Sequence, residues 1–147
     1  MERLCQWESG PMEIQLSMLI LEVRDLPRSI AFYRHLGLDL PDPAPGRPVV
    51  IHRMGSGVSL LLTTSFASTY DPAFTRPVGG YQQLLEFYVG EDAAVDRRWA
   101  DLVEAGHPSR MAPTQTAGPY AAMLEDPDGN VVLLTSDEAA RVDPHHA

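Results

Sequence analysis

A chain of 147 residues is about one domain's worth, or two small modules sharing a core. Its 44 % apolar and 21 % charged residues mark a globular protein and not a disordered tail. With 20 acidic residues against 11 basic ones, all of them arginine, the net charge is −9. That balance excludes lysine Schiff-base and P-loop chemistry, argues against a nucleic-acid binder, and leaves neutral or cationic small partners open.

The single cysteine, Cys5, makes no internal disulfide or thiolate cage. No apolar run reaches the roughly 20 residues a membrane span needs, and the start lacks the basic and apolar regions of a signal peptide. A cytoplasmic, soluble protein is the expectation, with no membrane and no nucleic-acid partner. Residues 1–12 read as a flexible extension containing Trp7, and residues 137–147 as a flexible tail.

In chain order, Ile14 to Val23 is apolar at both parities and reads as a strand buried on both sides. Asp25-Leu26-Pro27 is a helix start, and Gly37 stops a helix whose inner side carries Ile30, Phe32 or Tyr33, and Leu36. Asp42 to Gly46 is a turn. Pro48 to Met54 and Val58 to Thr64, split by Gly55-Ser56-Gly57, form a hairpin signal. Residues 65–81 mix Phe66, Tyr70, Phe74 and Tyr81 with prolines and glycines and read as a linker.

The second half repeats the first. Leu84 to Val89 is a strand, and Asp92 to Ala105 a helix with Ala94, Val95, Trp99, Leu102 and Val103 inward. A short strand is placed near His107 to Met111. Tyr120 to Glu125 and Val131 to Thr135 are strands joined by the turn Asp126-Pro127-Asp128-Gly129-Asn130. Residues 18–23 align with 84–89, and residues 58–62 with 131–135. Each half is therefore an α+β unit with one helix on one sheet face, and two such half-sheets facing each other make a groove.

Two segments carry a family resemblance. One runs from Leu21-Glu22-Val23-Arg24-Asp25-Leu26-Pro27-Arg28-Ser29-Ile30-Ala31-Phe32-Tyr33 to Leu36-Gly37. The other is Glu125-Asp126-Pro127-Asp128-Gly129-Asn130 before an apolar strand. Together they resemble the vicinal oxygen chelate superfamily of glyoxalases, bleomycin-resistance proteins and dioxygenases. The resemblance implies two tandem βαβββ modules (13–64 and 82–136) forming a cleft-bearing curved mixed sheet. It also implies a homodimer whose chains often exchange modules.

Enzymes of that superfamily hold a divalent metal with His and Glu side chains, often four, from inward strand positions. Carried across one at a time, those positions fall on Met18, Leu60, Leu84 and Leu133, none of which is a suitable donor. No metal and no cofactor are therefore expected, and the resemblance leans to the metal-free, bleomycin-resistance-like branch. His35, His52, His107, His145 and His146 show no ligand spacing and read as surface or structural histidines.

The groove is expected to be an apolar trough. Met18, Ile20, His52, Leu60, Leu62, Phe66, Tyr70, Leu84, Glu86, Tyr88 and Leu133 are the candidate ligand contacts. The alternative for the apolar members is a core in which the modules close on each other. Phe66, Tyr70, Phe74 and Tyr81 either form a lid of rings or pack as linker aromatics. Glu86 is a carboxylate on a strand expected to be buried, and with Tyr88 it is the candidate acid–base pair. Its alternative is a structural pairing with arginine or exposure at the groove rim. Two functional readings follow: a protein that sequesters a bulky, largely apolar, possibly cationic antibiotic or natural product, or a lyase, isomerase or cyclase using Glu86 and Tyr88 or a relocated metal. A ligand sensor is a third.

Overall fold

The computed structural model describes residues 13–78 and 80–137. The expected extension 1–12, with Cys5 and Trp7, and the tail from residue 138 onward, with His145 and His146, lie outside the described residues. In chain order the elements are β1 (Met18–Glu22), α1 (Leu26–Leu36), β2 (Val49–Arg53), β3 (Ser59–Thr63), α2 (Phe66–Tyr70), β4 (Gly80–Tyr88), α3 (Asp92–Glu104), β5 (Ser109–Gln115), β6 (Tyr120–Glu125) and β7 (Asn130–Thr135). No helix among them is long and apolar enough to cross a membrane.

The two modules each carry a mixed sheet. The first has the order β1-β3-β2, with β1 parallel and β2 antiparallel to β3. The second has the order β4-β7-β6-β5, with β4 parallel to β7 and the rest antiparallel. The second module is a complete βαβββ unit. The first has three described strands, because the stretch where the repeat puts another strand carries Pro41, Pro43, Pro45 and Pro48. Each proline removes a ladder donor, so the chain stays irregular there. Arg34 ties this loop down by donating to the Leu40 carbonyl (2.9 Å) and to Asp42 (2.9 Å).

Helix α1 starts where Asp25 accepts the Arg28 N–H at 3.1 Å. It ends at Gly37, whose φ of +128° is a conformation that side chains rarely adopt. A Cβ at Gly37 would also come within 2.8 Å of Arg98, whose guanidinium donates to the Leu36 carbonyl. Both Phe32 and Tyr33 are fully buried, where one inner stripe was expected to take either. The reason is that α1 is covered twice, by its own sheet and by the second module. One continuous cluster runs from Leu21, Val50 and Leu62 through α1 to Leu85, Leu102, Leu124 and Leu134.

A polar clamp crosses this junction. The β6–β7 turn is organised by Asp126, only 3 % exposed. Its carboxylate accepts the backbone N–H of Asp128 and of Asn130, the Asn130 amide (each 2.9 Å) and, at 2.6 Å, the Tyr33 hydroxyl. Asp128 accepts the Arg24 N–H at 3.0 Å, its guanidinium at 3.3 Å and the Ser29 hydroxyl at 3.3 Å. Burial first, then the charge of Asp126, raises the Tyr33 pKa. Tyr33→Phe leaves the buried Asp126 short of one donor. It is expected to cost about 1–3 kcal/mol in a denaturant melt without changing the fold.

His107 stands edge-on to Phe32, with ring centroids 4.7 Å apart. Desolvation, then the positive charges of His35 and Arg28, lower its pKa from 6.5, against a weaker pull from Asp126. The unfolded chain therefore binds this proton more tightly, and stability falls as pH drops below about 6.5. His107→Gln is expected to lose less stability than the parent over that acidic interval, read by denaturant melts on either side of it.

Candidate functional site

Cross-strand register sorts each sheet into two faces. On the first sheet the rows Leu19–Leu60–His52 and Leu21–Leu62–Val50 belong to the helix-covered side. The opposite, open side has the rows Met18–Ser59–Arg53, Ile20–Leu61–Ile51 and Glu22–Thr63–Val49. On the second sheet Leu85 and Phe87 face the core. The rows of its other face are Leu84–Val131–Glu125, Glu86–Leu133–Met123 and Tyr88–Thr135–Ala121; this face is open at Leu84 and Glu86, while Val131, Thr135 and Ala121 are buried.

This geometry corrects part of the expected trough. Leu60 (3 % exposed) and Leu62 (0 %) are core residues, and His52 shares the Leu60 row, so none of the three lines the open face. The position on β3 that does is Leu61. Met18, Ile20, Leu84, Glu86, Tyr88 and Leu133 belong to the rows of the faces turned from the core. Strand β1 begins only at Met18 and is not buried on both sides: Ile14 and Leu16 are exposed, and Ile20 is 44 % exposed. Glu86 is exposed as well, so a single chain does not supply the burial expected to tune it.

The modules meet through α1, the β6–β7 turn and the inner side of β4, where Tyr33 and Phe87 lie 6.3 Å apart. Both open faces therefore point away from the shared core. Ile20, Ile51 (48 % exposed) and Leu84 (43 %) are left uncovered.

Residues 65–81, expected to be a linker, contain α2 and the first residues of β4. The short helix brings Phe66 and Tyr70 together, with ring centroids 5.1 Å apart. The two rings rim a depression of about 330 Å³ over Val49, Leu61 and Thr63 of the open face, with Arg47 at its edge. A second depression, of about 520 Å³, holds Tyr88, Glu91, Asp92 and Ser136 at the start of α3. There the Ser136 hydroxyl donates to Asp92 at 2.6 Å. Beside the open face of the second sheet, Arg110 pairs with Glu125 at 2.6 Å and lies over the Tyr81 ring.

The sequence pattern passed over Glu22, Ile51 and Leu61. Glu22 is the one charged residue in β1, and it shares the parity of Met18. That is the signal from which its place is readable. The Glu22 carboxylate accepts the Ala67 N–H at 2.7 Å and so holds the start of α2.

The metal of the resembling enzymes does not fit these faces. With β3 re-registered, the four relevant positions are Met18, Leu61, Leu84 and Leu133, one thioether and three hydrocarbons. They offer no imidazole or carboxylate to replace the water of a divalent ion. Among the described residues no group of three or more His, Cys, Asp or Glu is placed to hold a metal ion. The re-registration has a direct check. Leu60→Ala removes core and is expected to cost about 2–5 kcal/mol, whereas Leu61→Ala on the open face costs about 1 kcal/mol or less, both by denaturant melts.

A family model described as the Glyoxalase/Bleomycin resistance protein/Dioxygenase superfamily matches residues 15–134. No curated protein matches the chain. Among solved structures, a hypothetical protein, SA1046 from S. aureus, is similar at 22 % identity and a TM-score of 0.69, with 88 % of this chain and 97 % of that one covered. An antibiotic-binding protein, TnmS3 from Streptomyces sp. CB03234, is similar at 28 % identity and a TM-score of 0.59, covering 85 % and 98 %. A lactoylglutathione lyase from Agrobacterium tumefaciens is similar at 27 % identity and a TM-score of 0.55, covering 86 % and 94 %. With the tandem modules, the helix-start motif and the Asp126 turn in place, the chain belongs to the glyoxalase/bleomycin resistance protein/dioxygenase superfamily.

Proposed function

We propose that this protein binds a bulky, largely apolar small molecule, of the antibiotic or natural-product kind, without a metal ion. The observation that carries the reading is the makeup of the open faces. Met18, Leu61, Leu84 and Leu133 present a thioether and hydrocarbon where a metalloenzyme of this fold needs donors, and Ile20 and Ile51 add hydrocarbon in the Leu61 row. An exposed apolar surface of this kind loses free energy to water at about 25 cal/mol per Å² and regains it when a ligand or a second chain covers it.

Because Ile20, Ile51 and Leu84 lie outside the shared core, a second copy is a natural source of cover for them, and the working unit is a homodimer. The similarity to the antibiotic-binding protein TnmS3 supports the same reading. The net charge of −9 gives a field that attracts cationic ligands.

A second reading keeps an enzyme on the same scaffold. Glu86 and Tyr88 lie two residues apart on one face of β4, a spacing that lets both reach one bound molecule, and a lactoylglutathione lyase is among the similar structures.

A thermal-shift screen of the purified chain against polycyclic natural products, with elemental analysis of the same sample, tests the proposal. At a ligand concentration about 100 times Kd the stabilisation is about 2.7 kcal/mol, a rise of several degrees in Tm. The expected result is a saturable rise that a chelator leaves unchanged, with metal content far below one per chain. Stoichiometric Mn, Zn, Ni or Fe, or loss of binding on chelation, contradicts it. Glu86→Gln separates the readings: retained binding with loss of any turnover of the bound compound favours the enzyme.

A further inference from the structure

The depression beside α2 adjoins a polar atom that the fold leaves unsatisfied. Glu22 ends β1 in one row with Thr63 and Val49, and those two residues floor the depression. Its Oε2 is committed to the Ala67 N–H. Its Oε1 is shielded from water and has no hydrogen-bond partner. The other such atom among the described residues is Arg76 Nη1, on a guanidinium that lies over the Phe74 ring. A buried acceptor without a donor is costly, more so on a carboxylate, and such a group in a native fold calls for a partner.

The cover over this carboxylate is slight. Helix α2 has five residues, none of them buried, and its N-cap Ser65 makes no side-chain bond to it. Glu22 serves as the cap instead. Glu22 does not itself line the depression, but its row partners Thr63 and Val49 do, and an outward shift of the thinly packed α2 is the movement that would bring Oε1 within a ligand's reach. Phe66 (52 % exposed) and Tyr70 (72 %) then stand as two rings beside a recessed negative charge. That pairing suits a flat cation, through ring-face attraction and a charge-assisted hydrogen bond. Arg47 lies at the same rim but is exposed, so solvent screens its charge, while that of Glu22 is sheltered.

We propose that Glu22 is the residue that selects the ligand: its Oε1 accepts an N–H from an aromatic molecule bearing an ammonium or amidinium group, seated over Thr63 and Val49 beneath Phe66 and Tyr70. The inference rests on the open face being a ligand surface, and it names the chemical class that surface takes.

Two dyes with one ring frame test it. At mildly alkaline pH 9-aminoacridine is a cation with N–H donors and acridine is neutral. Both are titrated by fluorescence into the full chain, the Glu22→Gln variant and the Tyr70→Ala variant. Glutamine keeps an oxygen for the Ala67 N–H and puts an N–H₂ donor where Oε1 stood, so the cap survives while the polarity of the site reverses. The parent is expected to bind 9-aminoacridine more tightly than acridine. Glu22→Gln should weaken 9-aminoacridine roughly tenfold or more and leave acridine within about twofold. Tyr70→Ala changes an exposed ring, keeps the fold, and should weaken both dyes. Equal losses for both dyes in Glu22→Gln, or no loss, overturn the role of Glu22 and leave the ligand surface standing. No effect of Tyr70→Ala overturns the location. Absence of saturable binding of either dye to the parent contradicts the ligand surface itself, and the proposal with it.

Discussion

The arrangement depends on how α1 is held. Tyr33 donates to a nearly buried Asp126 across the junction of the two modules, and Arg24 and Ser29 donate to Asp128 beside it. These bonds dock the β6–β7 turn of the second module onto the first helix. The same Asp126 also organises its own turn through three further bonds. Local turn chemistry and module docking thus share one carboxylate, and in a low-dielectric setting such a network gains strength from being fully satisfied.

Docking through α1 decides what remains outside. Each sheet has two apolar faces, and the junction covers one face of each. Leu60, Leu62, Leu85 and Leu134 go into a common core. Ile20, Ile51 and Leu84 stay on the outside, with Met18, Leu61 and Leu133 in the same or adjoining rows. The functional reading grows from that division, since faces rich in hydrocarbon, with no donor at the four family metal positions, are matched to a largely apolar partner.

Much of this was legible in the residues. The repeat of residues 18–23 at 84–89, the Asp25 cap, the Gly37 stop and the Asp126–Asn130 turn each carry a local physical signature, and each has its place in the fold. The face of β3 was not legible, because Ser59-Leu60-Leu61-Leu62-Thr63 is apolar at both parities and gives no alternation to read. Only its pairing with β1 and β2 shows that Leu61 faces outward. After α1 the residues left two or three strands open for the first module, and its prolines argue against the third. Helix α2 is too short for a periodic signal, and it depends on Glu22, a residue distant in sequence. The relative turn of the two modules was not legible for a related reason: strand patterns show that a face is apolar, not which way it is turned.

The charge of the chain takes on a narrower meaning in this light. Many of the acidic residues, such as Asp101 and Glu104 of α3, lie exposed on outer helix faces. Glu22 and Glu86 are the carboxylates of the open faces that pair with no arginine in the described ion pairs. The central claim is that these faces, and not the core or a metal centre, receive the ligand. Methyl-resolved NMR of the full chain titrated with 9-aminoacridine tests it most directly. The account predicts saturable shifts at Ile20, Ile51, Leu61 and neighbouring open-face methyls, with Leu60, Leu62 and Leu134 unmoved. Shifts confined to core or helix-surface methyls, or none at saturating dye, would contradict it.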